Sequence, residues 1–352
     1  MPTIGVLTSG GDAPGMNAAV HALVKLGTQQ GVEMVGFQNG YTGMMAGKRV
    51  HLRPADVDRI AHEGGTELGS ARSAAFRTPE GRAQAAQNAA DLDGLVVIGG
   101  NGSLTGARLL GQESGLCVVG LPASIDNDIA CTSTAIGVDT ALNTIVQACD
   151  RISDTARAHR RVFVVEVMGR DCGYLAMASA VAARADACLF RESGKDEDTL
   201  VAELEQVILR GLDPSRGKRR ILILKAEGVQ ASTAALTARL QATMDRELPG
   251  VSVRATVLGH LVRGGRPSYQ DRAISGRLAV QALQSVLAGT GGVMMGWLPW
   301  NTQGGVPTSD PAVWSFPFET VEARTAELLD GSHPTTRRRV RMMEQVSGVL
   351  SL

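Results

Sequence analysis

Short apolar runs that end in glycine-rich polar turns recur along the chain, and most are followed by a stretch with helical spacing. Residues 4–7, 34–37, 95–98, 118–121, 162–167 and 221–224 are near-continuous apolar segments, as expected of strands buried on both faces. Helical patterns follow at about 16–29, from 55, and at 79–90, 140–156, 174–184, 196–210 and 233–247. This alternation predicts an α/β fold with mostly parallel sheets. In such sheets ligands bind outside the carboxyl ends of the strands. Nearly every polar cluster in the chain falls at such an end.

The first cluster, after residues 4–7, contains Gly10, Gly11, Asp12 and Gly15 and opens a helix. Exposed backbone N–H groups at such a turn, added to the helix dipole, make a phosphate cradle. It is neither Gly-x-Gly-x-x-Gly nor a P-loop, since no Gly-Lys-Ser/Thr follows. Residues 39–43 read as the turn after the second strand. A Gly/Ser loop over 64–72 ends in Arg72, a composition suited to an oxyanion. Gly99, Gly100, Asn101, Gly102 and Ser103 form a second glycine turn, in which Ser103 could cap the next helix.

Pro122 to Asp128 reads Pro-Ala-Ser-Ile-Asp-Asn-Asp and puts one hydroxyl and two carboxylates into five residues just past an apolar strand. Taken alone, Ile-Asp-Asn-Asp is more often a turn that bonds its own backbone. Its neighbours shift the balance. Arg161 and Arg170 stand at opposite ends of one strand, roughly 30 Å apart when extended, too far to share one phosphate within a subunit. Glu227 ends the strand over 221–224, and the segment 251–265 carries Arg254, His260 and Arg263, an odd set for a plain core strand.

Composition narrows the class. A length of 352 residues suggests two domains. Lys plus Arg equals Asp plus Glu at 35 each, which argues against a general nucleic-acid binder, so any anion site must be local. The five cysteines form no Cys-x-x-Cys pair and sit in mostly apolar surroundings, which favours reduced thiols and a cytoplasmic location. The chain reaches its first strand at Ile4 with no basic region or long apolar core, so no signal peptide is expected, and the uncharged stretch 278–309, broken by Gln, Gly and Pro, is expected to be a poor membrane span.

In their order, Ser-Gly-Gly-Asp-Ala-Pro-Gly-Met-Asn, Gly-Ser-Ala-Arg, Gly-Gly-Asn-Gly-Ser, Ile-Asp-Asn-Asp, Glu-Val-Met-Gly-Arg and Leu-Gly-His-x-x-Arg-Gly-Gly resemble the 6-phosphofructokinase family over residues 3–275. The resemblance implies two three-layer αβα (Rossmann-like) domains with the active site in the cleft between them. Residues 1–137 plus 253–305 would hold the phosphoryl donor, and 138–252 plus 306–352 the sugar phosphate. It further implies transfer of the γ-phosphoryl of ATP to the 1-hydroxyl of fructose 6-phosphate, with Mg2+. Asp126 would be the base, with Ser124 beside it and Asp128 supporting metal and geometry. Arg72 and Arg170 would contact the transferring phosphoryl or hold the reactants in place. Met168, Gly169, Glu227 and His260 would hold the sugar, and Arg161, Arg254 and Arg263 its 6-phosphate. Family arginines matching Arg161 and Arg254 come from a neighbouring subunit, which implies a homo-oligomer, usually a tetramer, and answers the distance problem.

Gly11, Tyr41, Arg72, Ser73, Gly100, Asn101, Gly102 and Ser103 match the donor site. Pyrophosphate-using relatives carry Asp where this chain has Gly102 and Lys where it has Ala123, so the pattern here resembles the ATP type. Asn101 departs from the family's metal-associated Asp, keeping its shape without its charge. His21, Lys25, Arg53, Arg216 and Lys218 fall in the region of the family's effector site, although His21 and Ser153 replace arginines found in bacterial relatives. The competing readings are a pyrophosphate-dependent enzyme and a regulatory sugar-phosphate-binding paralogue weakened at Asn101. Past residue 292 the resemblance fades. The tail carries Arg337, Arg338, Arg339 and Arg341 and reads as a terminal helix packed on the second domain; without interleaved aromatics it is no nucleic-acid site.

Overall fold

The computed structural model describes residues 1–301 and 303–350. Thr302, Ser351 and Leu352, which belong to the expected domain ranges and the apolar tail end, lie outside the described residues. In chain order the elements are β1 (Thr3–Ser9), α1 (Met16–Gln29), β2 (Glu33–Phe37), α2 (Gly40–Met45), β3 (Arg49–His51), α3 (Pro54–Val57), α4 (Pro79–Gln87), β4 (Gly94–Gly99), α5 (Asn101–Ser114) and β5 (Val118–Pro122). There follow α6 (Val138–His159), β6 (Arg161–Val167), α7 (Tyr174–Ala182), β7 (Ala187–Leu189), α8 (Glu197–Gly211), β8 (Arg220–Ala226), α9 (Thr233–Glu247) and β9 (Val253–Val257). The chain ends with α10 (Tyr269–Leu287), β10 (Val293–Trp297), β11 (Val306–Pro307), β12 (Val313–Pro317), α11 (Phe318–Asp330) and α12 (Pro334–Leu350).

Two compact units result. The first comprises Met1–Ile125, Ile129–Thr140 and Arg263–Ala326. Its eight-stranded sheet runs β11-β12-β10-β5-β4-β1-β2-β3, parallel from β10 to β2 and antiparallel at both edges. All six residues of β4 are buried, as the unbroken apolar run demands of a central parallel strand. The chain moves from β1 to β2 on one side and later to β4 on the other. The strand order therefore reverses between β1 and β4, and their carboxyl ends frame a ligand-binding crevice.

The second unit comprises Asp126–Asp128, Ala141–Val262 and Glu327–Leu352. Its sheet, β7-β8-β6-β9, is wholly parallel, and the order reverses at β6, between β8 and β9. As an edge strand, β9 leaves Arg254, Ala255 and Val257 exposed. The terminal helix α12 turns Thr336, Arg339, Val340 and Met343 inward, a stripe at helical spacing, while Arg337, Arg338 and Arg341 are exposed.

Several local expectations change. Residues 39–43 are not a simple turn: Asn39 is left-handed at φ 58°, and Gly40 starts the short helix α2. Ser103 does not cap α5; the N-cap is Gly100, and no side chain caps that helix. The stretch 278–309 divides among α10, β10 and β11, and no described helix is long and apolar enough to cross a membrane. All five cysteines are free thiols.

Candidate active site

In the first unit three loops meet at the β1/β4 crevice. Thr8 at the end of β1 donates its hydroxyl to the carbonyl of Gly69 (2.8 Å) and lies 2.8 Å from the Thr66 hydroxyl, while the Ser70 hydroxyl donates to the Gly10 carbonyl (2.5 Å). Asn17, buried in α1, completes the seam. Its Oδ1 accepts the Glu67 N–H at 2.7 Å, and its Nδ2 reaches the carbonyls of Glu63 and Gly64, both at 3.3 Å. The Gly/Ser loop before Arg72 is thus pinned to the β1 turn. Arg72 itself is exposed and makes no ion pair with a described residue.

Gly10 is left-handed at φ 89°, and a Cβ on it would lie 3.1 Å from the Ser103 hydroxyl, which fixes how closely the two glycine turns approach. A Cβ on Gly102, by contrast, meets nothing within 4 Å. Tyr41 is buried, stacked on Phe76 with centroids 3.8 Å apart, and its hydroxyl donates to the Ser103 carbonyl at 2.7 Å. Burial pushes its phenol pKa up, so it remains a donor. Tyr41 therefore braces α5 from behind. Ser73 accepts the Phe76 N–H through its hydroxyl at 3.2 Å. Ala123 donates its N–H to the Gly99 carbonyl (3.0 Å) and Ser124 to that of Ile136 (3.2 Å), which holds the start of the Pro122–Asp128 stretch alongside the β4 turn. Arg263 lies here too, its Nη1 3.4 Å from the Asp12 carbonyl and close to Gly11.

The second unit gathers the carboxyl ends of β6 and β8. Gly169 and Arg170 are both left-handed, at φ 144° and 50°. That turn is held by Glu227, whose Oε1 accepts their N–H groups at 3.2 and 2.8 Å. Met168, Gly169, Arg170 and Glu227, separated by up to 59 positions in sequence, are thus one structural cluster. Asp126 is buried at 4% exposure. Beside it Asn127 is left-handed at φ 49°, and its carbonyl accepts the Cys172 thiol at 4.0 Å. Asp128 is half-buried. His260 is exposed in a short turn, Gly259–Arg263, beyond β9. Arg161 begins β6, so the strand's seven residues, roughly 20 Å of extended chain, separate it from the Met168–Glu227 cluster. Arg254, opposite Phe163 near the start of β9, is likewise not at that end of the sheet.

The remaining basic positions are already engaged. Lys25 pairs with Asp58, and His21 Nε2 lies 3.9 Å from the same carboxylate. Burial, then the neighbouring Lys25, lowers the His21 pKa, with Asp58 opposing. Arg53 forms a capping box with Asp56. Lys218 pairs with the buried Asp186, which also accepts the Leu222 N–H at 2.8 Å. Arg216 ends a short 3-10 turn, Pro214–Arg216.

Three buried polar groups have a structural role that the sequence does not show. Asp271 accepts the N–H groups of Gly137 and Thr140, both at 2.8 Å, and the Thr140 hydroxyl at 2.5 Å. Lys225 is fully buried in β8 and pairs with Glu166 at 3.0 Å, where the Thr233 hydroxyl also donates. The third is Asn17. Only a polar residue inside an otherwise apolar period could have flagged them. One further regularity concerns helix starts. Helices α4, α8, α9 and α10 are capped by the side chains of Thr78, Asp196, Ser232 and Ser268. The helices α1, α5 and α7, which follow the glycine turns of the candidate sites, start at Gly15, Gly100 and Gly173 with no side-chain cap. At α1 and α5 such a start suits an anion, while at α7 the Glu192 carboxylate already accepts the Gly173 N–H at 2.7 Å.

Comparison with known proteins agrees with this layout. The sequence matches the family described as Phosphofructokinase over residues 3–286. It is 44% identical over 298 residues to the ATP-dependent 6-phosphofructokinase of Oceanobacillus iheyensis, covering 84% of this chain and 89% of that protein. It is also 44% identical over 299 residues to ATP-dependent 6-phosphofructokinase 1 of Thermus thermophilus, with the same coverage of each. Among solved structures, phosphofructokinase from Saccharomyces cerevisiae superposes with a TM-score of 0.87 at 31% identity. That match takes in 99% of this chain but spans only 50% of the yeast chain. With the family matched over most of its length and relatives this similar, the chain belongs to the phosphofructokinase family.

Proposed function

We propose that the protein is an ATP-dependent 6-phosphofructokinase, transferring the γ-phosphoryl of ATP to the 1-hydroxyl of fructose 6-phosphate to give fructose 1,6-bisphosphate. The observation that carries this reading is the 44% identity, over 84% of the chain, to relatives of that name. A bond forms between the 1-hydroxyl oxygen and the γ-phosphorus as the bond to the ADP oxygen breaks, and Asp126 takes the hydroxyl proton. Its burial suits this role, since a carboxylate screened from water is held in place and is not solvated away from the hydroxyl. Ser124 stands next to it in the chain but one. Arg72 and Arg170, neither in an ion pair with a described residue, supply positive charge to the transferring phosphoryl.

The donor rests on Gly11, Tyr41, Arg72, Ser73, Gly100, Asn101, Gly102 and Ser103. Here the β1 and β4 turns offer backbone N–H groups, and the open space at Gly102 leaves room for a nucleotide phosphate. The sugar rests on Met168, Gly169, Glu227 and His260. Its 6-phosphate meets Arg263 together with Arg161 and Arg254 from a neighbouring subunit. Two observations support an oligomer, for which we propose a tetramer: the position of Arg161 and Arg254 away from the Met168–Glu227 cluster, and the open outer edge of β9, where Val257 and nearby Leu261 are 59% and 60% exposed.

Among the described residues no group of three or more His, Cys, Asp or Glu could hold a metal. Such a donor set does not cage an ion by itself, but it fits a magnesium ion carried mainly by phosphate oxygens and water, with Asp128 and the Asn101 amide as protein contacts. When bound, the ion neutralises charge on the donor phosphates. A phosphorylated regulator at His21, Lys25, Arg53, Arg216 and Lys218 would have to compete with Asp58, Asp56 and Asp186, which already pair with three of these cations.

A coupled assay with fructose 6-phosphate tests the proposal. Turnover with ATP and none with pyrophosphate is expected; the reverse refutes it. Asn101→Asp should tighten magnesium-dependent nucleotide binding, read by calorimetry. Full turnover by a confirmed monomer would refute the shared site.

A further inference from the structure

Four arginines crowd the start of α12, beyond residue 286 where the family match ends, and only one of them faces inward. Arg339 lays its guanidinium over the ring of Tyr174, 4.3 Å from the centroid, at the first residue of α7. Its Nη1 also donates to the Cys172 sulfur at 3.7 Å. Cys172 is 3% exposed and lies in the same turn as Gly169 and Arg170, and its thiol donates to the carbonyl of Asn127, between Asp126 and Asp128. A cation thus touches the sulfur on one side, and the backbone of the carboxylate pair lies on the other.

The chemistry of the thiol suits a relay. Burial pushes the Cys172 pKa up to about 11, so the group stays protonated at neutral pH and can donate. The same sulfur can accept from Arg339, because a thiol is at once a weak donor and a weak acceptor. The stacked ring limits the guanidinium's freedom, and the cation–π contact adds attraction. The inward neighbours Thr336, Val340 and Met343 fix the helix that carries it: Thr336 Oγ1 donates to the Leu328 carbonyl at 2.9 Å, and Met343 is buried. Each sulfur contact is weak, so the effect is on placement.

We infer that Arg339 is a positioning residue, which acts through Cys172 to hold the backbone of Asp126–Asp128 in register for the phosphoryl transfer. The inference rests on the proposed kinase reading for its catalytic consequence, but the physical relay can be observed without it. The test uses the full-length protein with Arg339→Ala, Arg339→Lys, Cys172→Ala, the Arg339→Ala/Cys172→Ala double variant, and Arg338→Ala as an exposed control on the same helix. Arg339→Ala should lower kcat about 3- to 30-fold while leaving KM for ATP unchanged, with partial recovery in Arg339→Lys and none of the loss in Arg338→Ala. In the double variant the two losses should be less than additive. Hydrogen exchange should speed up in the peptide spanning residues 123–131 of Arg339→Ala. Unchanged exchange in that peptide, or fully additive losses, overturns the relay. If the parent protein shows no turnover but exchange responds as expected, the kinase reading fails and the relay stands.

Discussion

Asp271 is the group whose removal should most disturb the first unit. It lies fully buried in the first turn of α10 and accepts three hydrogen bonds from the segment that starts α6. Replacing it with Ala strands the N–H groups of Gly137 and Thr140 in a dry site, at about 1–3 kcal/mol each, or about 2–6 kcal/mol together. Part is returned because burying the carboxylate is itself costly, which is why burial raises its pKa against the pull of its three donors. A net loss of about 3–4 kcal/mol is expected. Asp271→Asn keeps one carbonyl oxygen for Gly137 but sets an amide against the Thr140 N–H. The Thr140 hydroxyl can turn to accept, so one orphan remains and the loss should be about 1–3 kcal/mol. The two units need not unfold together, so urea titration should be paired with hydrogen exchange at Gly137 and Thr140. In the Ala variant those amides should exchange on the order of a hundredfold faster. A loss below about 1 kcal/mol with unchanged exchange would show that the capping role is misread.

Asp126→Asn should lower kcat by about 10²–10⁴ with little change in KM for fructose 6-phosphate, since it removes a base and keeps the shape; steady-state kinetics would read the split. Gly102→Asp should fold normally, because its Cβ meets nothing within 4 Å, yet lose affinity for ATP through like-charge repulsion of the nucleotide phosphates, measured by calorimetry. Asp310 is held below its ordinary value near 3.8 by Arg277, which bonds its two oxygens at 2.6 and 2.5 Å. A depressed folded pKa contributes stability that is present above the unfolded value and lost as pH falls through the folded one. Asp310→Asn should therefore be less stable than the parent at neutral pH and converge with it below about pH 3.8, as followed by thermal unfolding across pH.

The parallel strands could be read from the sequence because β1, β4, β6 and β8 are largely buried on both faces and so carry near-continuous apolar runs, broken inside β6 and β8 only by the paired Glu166 and Lys225. The glycine turns could be read for the same reason, since each follows such a run. The short edge strands were illegible, since β3 and β7 have three residues and β11 two, and so was the interior strand β10, which mixes Met, Gly and Trp. Residues 39–43 misled because a left-handed Asn before Gly signals a turn, whereas here it starts a helix. Within the candidate site, Glu227 could be placed at a strand end, but its grip on Gly169 and Arg170 depends on β6 and β8 being neighbours. Asp271 and Arg339 have partners more than 130 positions away, and no local pattern encodes such a meeting. The inward turn of Arg339 among three exposed arginines likewise follows only from where α12 packs.

Helices α1, α5 and α7 open on glycines, while α4, α8, α9 and α10 open on capping Thr, Asp, Ser and Ser. A side-chain cap at such a position contributes about 1 kcal/mol to the resting protein. By leaving it out, the chain transfers that stabilisation from the empty state to the occupied one. The first turns of α1 and α5 should fray more readily without ligand, and an arriving phosphate then acts as the missing cap, whereas at α7 the Glu192 carboxylate already accepts the Gly173 N–H. Part of the binding energy thereby becomes local folding energy, and substrate occupancy and helix order rise together.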